Sequence, residues 1–306
     1  MEIQYIPYKE IDKKKWDECI INATNSLMYA HSFYLDNCTN HTWDALVIGN
    51  YETVMPITHR KKYGITYLYQ PYFLQQAGIF SIKKIDESVV NLFVSKIQSR
   101  FQFAEIDFNY ANAFVSNKNI NVTERNNFIL SLNDTYKNIS AKFNSNFIRN
   151  VKQASKRSFS YEKVNAADEL VDLYKKLYGS RFKKVKISDY DALKINCKTL
   201  LANNNLILRK VSVNGITHAA IILLKDAKRL YNIAPSVTDE GRKLSANHFL
   251  YNSIIEEFAE QDLTLDFEGS DIKGVASFYQ SMNPTNEKYI SIKYNNLLKL
   301  VKLFKK

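Results

Sequence analysis

Glycine and proline are scarce, at 8 and 5 in 306 residues. So few turn-forming residues argue against a low-complexity or collagen-like chain and for regular secondary structure throughout. Cysteine is rarer still. The three, Cys19, Cys38 and Cys197, are odd in number and far apart, which argues against a disulfide scaffold, and they show no metal-ligand or redox spacing. The histidines (His31, His41, His59, His218, His248) are equally scattered, so no metal site is expected. No apolar run approaches the length of a membrane span, and the N-terminus has no signal-peptide core. The expected compartment is therefore cytoplasmic. Acids are missing from whole stretches: none lies between Thr135 and Tyr161, or between Lys288 and Lys306.

What is present is a core and a basic surface. Hydrophobic residues make up 45% and aromatics 13%, with 20 Tyr and 18 Phe, enough for well-packed domains. The net charge is +11. It gathers in three places: Lys137, Lys142, Arg149, Lys152, Lys156 and Arg157; then Arg181, Lys183, Lys184 and Lys186; then six lysines from Lys288 to the C-terminus. Such patches favour polyanions: nucleic acid, phosphate-bearing cofactors or anionic lipid. The plain alternative is a lysine-rich solvated surface.

The richest chemistry lies in Leu263 to Asn283, which reads as a buried strand, a Gly-marked turn and a short helix. It collects Asp266, Glu268, Ser270, Asp271 and Tyr279 at a strand end. The surrounding order of elements occurs twice. In each half a hairpin, a third strand and an amphipathic helix precede a strand ending in Asp-Phe: Ala104 to Asn109 in the first, Thr264 to Glu268 in the second. The repeat predicts two domains, 1–134 and 135–306, with the boundary where strand pattern gives way to a basic helix, Tyr136 to Ser158. Only the second copy adds Glu268, Gly269, Ser270 and Tyr279. Asp266 shares its Asp-Phe context with the first copy, so fold explains it better than catalysis does.

This β-α-α-β-β-β-α-β-α-β order, used twice, resembles the GNAT acyltransferase fold in tandem, and more narrowly the Fem family of transferases that add amino acids to peptidoglycan precursors. Three features carry the resemblance: the helix Phe143 to Ala154 with Arg149, Lys152 and Ala154 in an Arg-x-x-Lys-x-Ala pattern; Asp266-Phe267-Glu268-Gly269-Ser270 followed by Phe278-Tyr279; and the paired domain order. The expected class is thus α/β (α+β, mixed sheet), two tandem GNAT-like domains with the working site in the second.

The resemblance implies an acyl- or aminoacyltransferase. Tyr279 falls where the superfamily's leaving-group acid sits, and a phenol's high pKa suits it to protonate a thiolate or alkoxide. Glu268 is the candidate base for the amine, with Asp266 beside it. Gly269, Ser270, Arg149, Lys152, Lys156, Gln70 and Tyr72 are candidate substrate contacts, the last two in a Tyr/Phe/Gln segment suited to lining an acceptor cleft. The competing readings are ordinary: Tyr279 as core packing, the acids as turn and helix caps, Arg149, Lys152 and Lys156 as a solvated helix face.

The donor is open between acyl-CoA and aminoacyl-tRNA. CoA-dependent relatives carry a Gly-rich loop whose N–H groups cradle pyrophosphate. Its equivalent, Pro235 to Ala246, offers Ser236, Gly241, Arg242 and Lys243 but has a single Gly and two acids, Asp239 and Glu240. The expected acceptor is a small molecule or a cell-wall precursor. The basic tail Leu297 to Lys306 suits peripheral contact with the inner membrane face. A CoA-dependent acetyltransferase for a small amine or sugar, or an inactive binding module, remain alternatives, and oligomeric state is not read from the sequence.

Overall fold

The computed structural model describes residues 2–113, 120–269 and 271–297. The chain divides into two compact units, residues 1–125 with 288–306 and residues 126–287. This differs from the expected boundary at 134/135 in two ways. The first unit ends nine residues earlier, at Arg125, and the last strand, Tyr289–Asn295, belongs to it rather than to the second. That strand lies between Phe103–Asp107 and Asn121–Arg125, pairing antiparallel with both. Conversely Phe128–Ser131 pairs with Thr264–Asp266 and brings Phe128, Leu130 and Leu132 into the second unit's core.

Each unit is built on a mixed sheet. In the first the order is Ile3–Ile6, Trp43–Ile48, Thr53–Lys62, Ile65–Leu68, Phe103–Asp107, Tyr289–Asn295, Asn121–Arg125. In the second it is Thr285–Asn286, Phe128–Ser131, Thr264–Asp266, Arg229–Asn232, Ile216–Lys225, Leu206–Val213, Ser160–Lys163. Both sheets contain a single parallel contact on this path, Leu68↔Ala104 in one and Arg229–Tyr231 against Thr264–Asp266 in the other. A parallel neighbour needs a crossover. Glu87–Arg100 supplies it in the first unit and Ala246–Phe258 in the second.

Local chemistry explains the elements. Leu206–Val213 and Ile216–Lys225 are β-branched and aliphatic, and the central strand is almost wholly buried. Asn214 and Gly215 both have positive φ, as a two-residue hairpin turn requires. Ala246–Phe258 buries Leu250, Tyr251, Ile254, Ile255 and Phe258 along one stripe against that sheet. The basic segment expected as a single helix is two, Tyr136–Ser140 and Ser145–Ala154. Asn144 separates them because its side chain caps the second, accepting from the Phe147 amide at 2.8 Å.

Asn121–Arg125 was not expected as a strand. Its residues are mostly exposed and polar, so it carries no apolar alternation to read. Among the described residues no helix is long and apolar enough to cross a membrane, and no three His, Cys, Asp or Glu side chains gather to hold a metal ion.

Candidate functional site

The second unit's parallel ladder ends at Tyr231↔Asp266. The polar groups of the site follow directly on both strands. Asp266 itself is a correction to the expected acid–base set. It is fully buried, and both carboxylate oxygens are committed: Oδ1 accepts from the Glu268 amide at 2.9 Å, and Oδ2 from Arg229 Nη1 at 2.9 Å and Asn127 Nδ2 at 3.2 Å. Burial raises its proton affinity and outweighs the lowering effect of Arg229. Arg229 also makes a two-pronged ion pair with Glu287, at 2.7 and 2.9 Å. Asp266 is a brace between strands, not a group that meets substrate.

Glu268 is different. It is half-buried, with a left-handed backbone at φ +62, followed by Gly269 at φ +64. A non-glycine residue in that region is strained. The Asp266 bond to its amide holds the turn and turns the Glu268 side chain out of strand register. Ser270 lies outside the described residues.

Tyr279, on the helix Lys273–Gln280, is only 4% exposed. Its ring stacks on Phe267 at 4.7 Å, so the packing role weighed from the sequence is real. Its hydroxyl has polar company as well. Asn232 Nδ2 donates to it at 3.1 Å and to the Tyr251 hydroxyl at 2.7 Å, and Tyr251 hydrogen-bonds Tyr279 in turn. Burial pushes the Tyr279 phenol up to about 12; the bonds from Tyr251 and Asn232 pull it down, and the nearby Glu268 charge pushes it up. At neutral pH this phenol keeps its proton. Tyr279 is thus a buried, protonated phenol within electrostatic reach of Glu268.

Asn232 and Tyr251 were missed in the sequence. The Asn232 Oδ1 is buried and has no hydrogen-bond partner among the described residues. An amide inside the otherwise apolar Leu230 to Ala234 run was the available signal, since a buried polar group needs a reason.

The residues of the expected phosphate loop make contacts of their own. Ser236 is buried in a strand contact with Ala220. Gly241 serves packing: a Cβ there would come within 2.3 Å of the His218 carbonyl, and its amide donates to the Thr238 cap at 2.9 Å. Arg242 donates to the Tyr178 hydroxyl and the Val237 carbonyl at 3.2 and 3.1 Å. Lys243 is an exposed partner of Glu240 at 3.5 Å. Two of the four residues expected to hold a cofactor, Gly241 and Arg242, are thus engaged with protein, and a third is beside an acid.

Arg149, Lys152 and Lys156 do come together. With Ser145, Ile148 and Gln153 they line an open groove along the helix Ser145–Ala154, whose opposite face buries Phe147 and Ala154. None of the three has an acidic partner among the described residues.

In the first unit the equivalent position is closed. Asn109 stands where the repeat places Glu268, and it is fully buried. Its Nδ2 donates to the Ala77 and Ile79 carbonyls at 2.9 Å, and its Oδ1 accepts from Asn25 at 2.9 Å. Gly78, at φ +79, allows this loop to press on Phe108 and Asn112; a Cβ would lie 2.3 Å from Asn112 Oδ1. Gln70, expected as a substrate contact, is a brace here: its amide nitrogen donates to the Leu74 and Gln75 carbonyls, and its oxygen accepts from the Asp107 amide. Tyr72 is half-buried in the same loop.

Residues 143–276 match the acetyltransferase (GNAT) domain family. The whole chain has the tandem GNAT fold. A FemX crystal structure superposes on it with TM-score 0.63 at 12% identity, covering 100% of both chains. L-PGS from Bacillus licheniformis gives 0.54 at 8% identity, covering 99% of this chain and 97% of its own. A tandem GNAT protein from the clavulanic acid biosynthesis pathway gives 0.50 at 8%, covering 95% and 98%. No curated protein sequence matches significantly.

Proposed function

We propose that the protein is an acyltransferase of the aminoacyl-transferring kind, with its working site in the second unit, an amine as acceptor and an aminoacyl ester of RNA as donor. The observation that carries acyl transfer is Tyr279: a buried phenol, oriented by Asn232 and Tyr251, held protonated at neutral pH and within electrostatic reach of Glu268. Glu268 takes the proton from the acceptor amine. The amine nitrogen forms a bond to the acyl carbon, the ester C–O bond breaks, and Tyr279 gives its proton to the departing ribose oxygen. The Asn232 carbonyl oxygen is left to accept from the amine N–H and align it.

The choice of donor rests on two features. The loop that would cradle a pyrophosphate has its glycine occupied by the His218 backbone, and Arg149, Lys152 and Lys156 form an uncompensated groove suited to a phosphodiester backbone. The resemblance to FemX and L-PGS supports the same reading and points to a cell-envelope acceptor. The second reading, CoA-dependent transfer to a small amine or sugar, is separated by melting measurements. A ligand at a hundred times its Kd stabilises by about 2.7 kcal/mol. Millimolar acetyl-CoA is expected to leave the melting temperature unchanged, and a clear rise would overturn the donor assignment. For the chemistry, Tyr279→Phe is expected to lower turnover of aminoacyl-tRNA by about 10²-fold or more, at a stability cost of about 1–3 kcal/mol for the buried donors it leaves unpaired, so the rate is compared at a temperature where both proteins are folded. Retention of more than a tenth of the rate would remove Tyr279 from the mechanism.

A further inference from the structure

The second basic cluster plays no part in the site just described. It lies in the connection between the helices Asp168–Tyr178 and Ile187–Ala202. Its sequence is Gly179-Ser180-Arg181-Phe182-Lys183-Lys184-Val185-Lys186-Ile187. The backbone is built of hydrogen-bonded turns: the Arg181 and Phe182 amides donate to the Tyr178 carbonyl at 2.9 and 3.3 Å, and the Val185 amide to the Phe182 carbonyl at 2.9 Å. The Lys186 amide donates to Asp189 at 2.7 Å. The loop is therefore shaped, and it still leaves Phe182 39% and Ile187 66% exposed.

The charges within the loop itself are of one sign; the next acids, Asp189 and Asp191, lie in the first turns of the following helix, Asp189 buried and bonded to the Lys186 amide, Asp191 exposed. Arg181, Lys183, Lys184 and Lys186 are all exposed, and none has an acidic partner among the described residues. Of the acids on the flanking helices, Asp172 pairs with Lys194 at 2.7 Å and Asp168 with Lys198 at 3.3 Å, while Glu169 and Asp191 are exposed. A loop that keeps two large apolar side chains in water, interleaved with four cations that have no acidic partner among the described residues (Arg181 lies over the Tyr178 ring at 5.6 Å), gains nothing from water. It matches the interface of an anionic bilayer, where apolar side chains enter the acyl boundary and lysine stems let their ammonium groups stay among the phosphates. Nucleic acid fits less well, because Ile187 offers no face on which a base can stack.

We propose that the loop from Arg181 to Ile187 docks the protein on an anionic lipid membrane. This rests on the surface alone and does not depend on the acyl-transfer reading. The test is co-sedimentation of the full chain with phosphatidylcholine vesicles and with mixed phosphatidylcholine–phosphatidylglycerol vesicles. Binding is expected only to the mixed vesicles and is expected to weaken with salt. Each basic residue near an anionic surface contributes about fivefold, so K183E/K184E is expected to weaken binding about 25-fold or more. F182S/I187S, which keeps every charge, is expected to weaken it as well. Because all four positions are exposed, unchanged melting temperatures will certify that the variants are folded. Wild-type binding by both variants would overturn the proposal and move the contact to another basic segment. So would loss of binding in K183E/K184E alone, which marks a purely electrostatic patch, or binding to a short RNA duplex in place of vesicles.

Discussion

Glu268 and His248 show how single residues give up stability for their positions. At φ +62, Glu268 occupies a region that glycine enters freely and side chains resist. Glu268→Gly is expected to raise stability to urea unfolding by about 0.5–1 kcal/mol while abolishing turnover. Destabilisation instead would mean that the carboxylate anchors the fold. His248 packs against Phe147 and Phe278, at 5.3 and 5.0 Å, and its Nδ1 has no hydrogen-bond partner among the described residues. Burial lowers its pKa from 6.5 to about 4. The unfolded chain thus binds this proton first as pH falls, so the stability that the neutral ring supports is complete above pH 6.5 and is lost between 6.5 and 4. Allowing for its partial exposure, the loss is about 1–2 kcal/mol. His248→Phe keeps an aromatic ring there and is expected to flatten that part of the stability–pH curve, measured by urea unfolding at pH 5 and pH 7. Neither residue's state was legible in the sequence. Letters report that a Glu and a His exist, but backbone handedness and desolvation arise from neighbours far along the chain.

Strands and helices are tied by two buried ion-pair sets. Arg229 joins its own strand to Asp266 on the next and to Glu287 at the unit's end. Arg209 pairs through two nitrogens with Glu257, which also accepts from the Tyr161 hydroxyl at 2.5 Å, linking two strands to the crossover helix. Removing one member of such a set strands a charge away from water, which costs about 3–5 kcal/mol. Arg229→Ala is therefore expected to destabilise by about that amount, and adding Asp266→Asn to restore a part of it, in a double-mutant cycle followed by denaturant unfolding. Simple additivity would mean that the two side chains do not interact. The sequence placed Asp266 on a strand correctly, from its alternation with Leu265 and Phe267. It did not reveal the partner, because Arg229 is 37 residues away.

At the scale of the molecule, the exchange of terminal strands decides what can fold alone. The second unit is one continuous segment, 126–287. That fragment is expected to be soluble and cooperative in unfolding. The fragment 135–306, cut where the sequence places the boundary, loses Phe128, Leu130 and Leu132 from its core and carries Tyr289–Asn295 without the strands it pairs with. It is expected to aggregate or unfold non-cooperatively, as seen by size-exclusion chromatography and circular dichroism. Equal behaviour of the two fragments would show that Phe128–Ser131 is dispensable.

The tandem order of elements was settled by sequence alone, because hydrophobic period and turn residues are local, and so was the choice of the second copy as the richer in chemistry. The basic stripe of Arg149, Lys152 and Lys156 was legible for the same reason: on a helix, spacing in sequence is position on a face. Tertiary structure decided the rest. It removed Asp266 and Gln70 from the candidate site by filling their hydrogen bonds, closed the first copy with Asn109, and added Asn232 and Tyr251 beside Tyr279. It also gave the last strand to the first unit. Those outcomes depend on contacts between residues tens to hundreds of positions apart, where the partner that satisfies a buried polar group or completes a sheet edge leaves no mark in the local pattern.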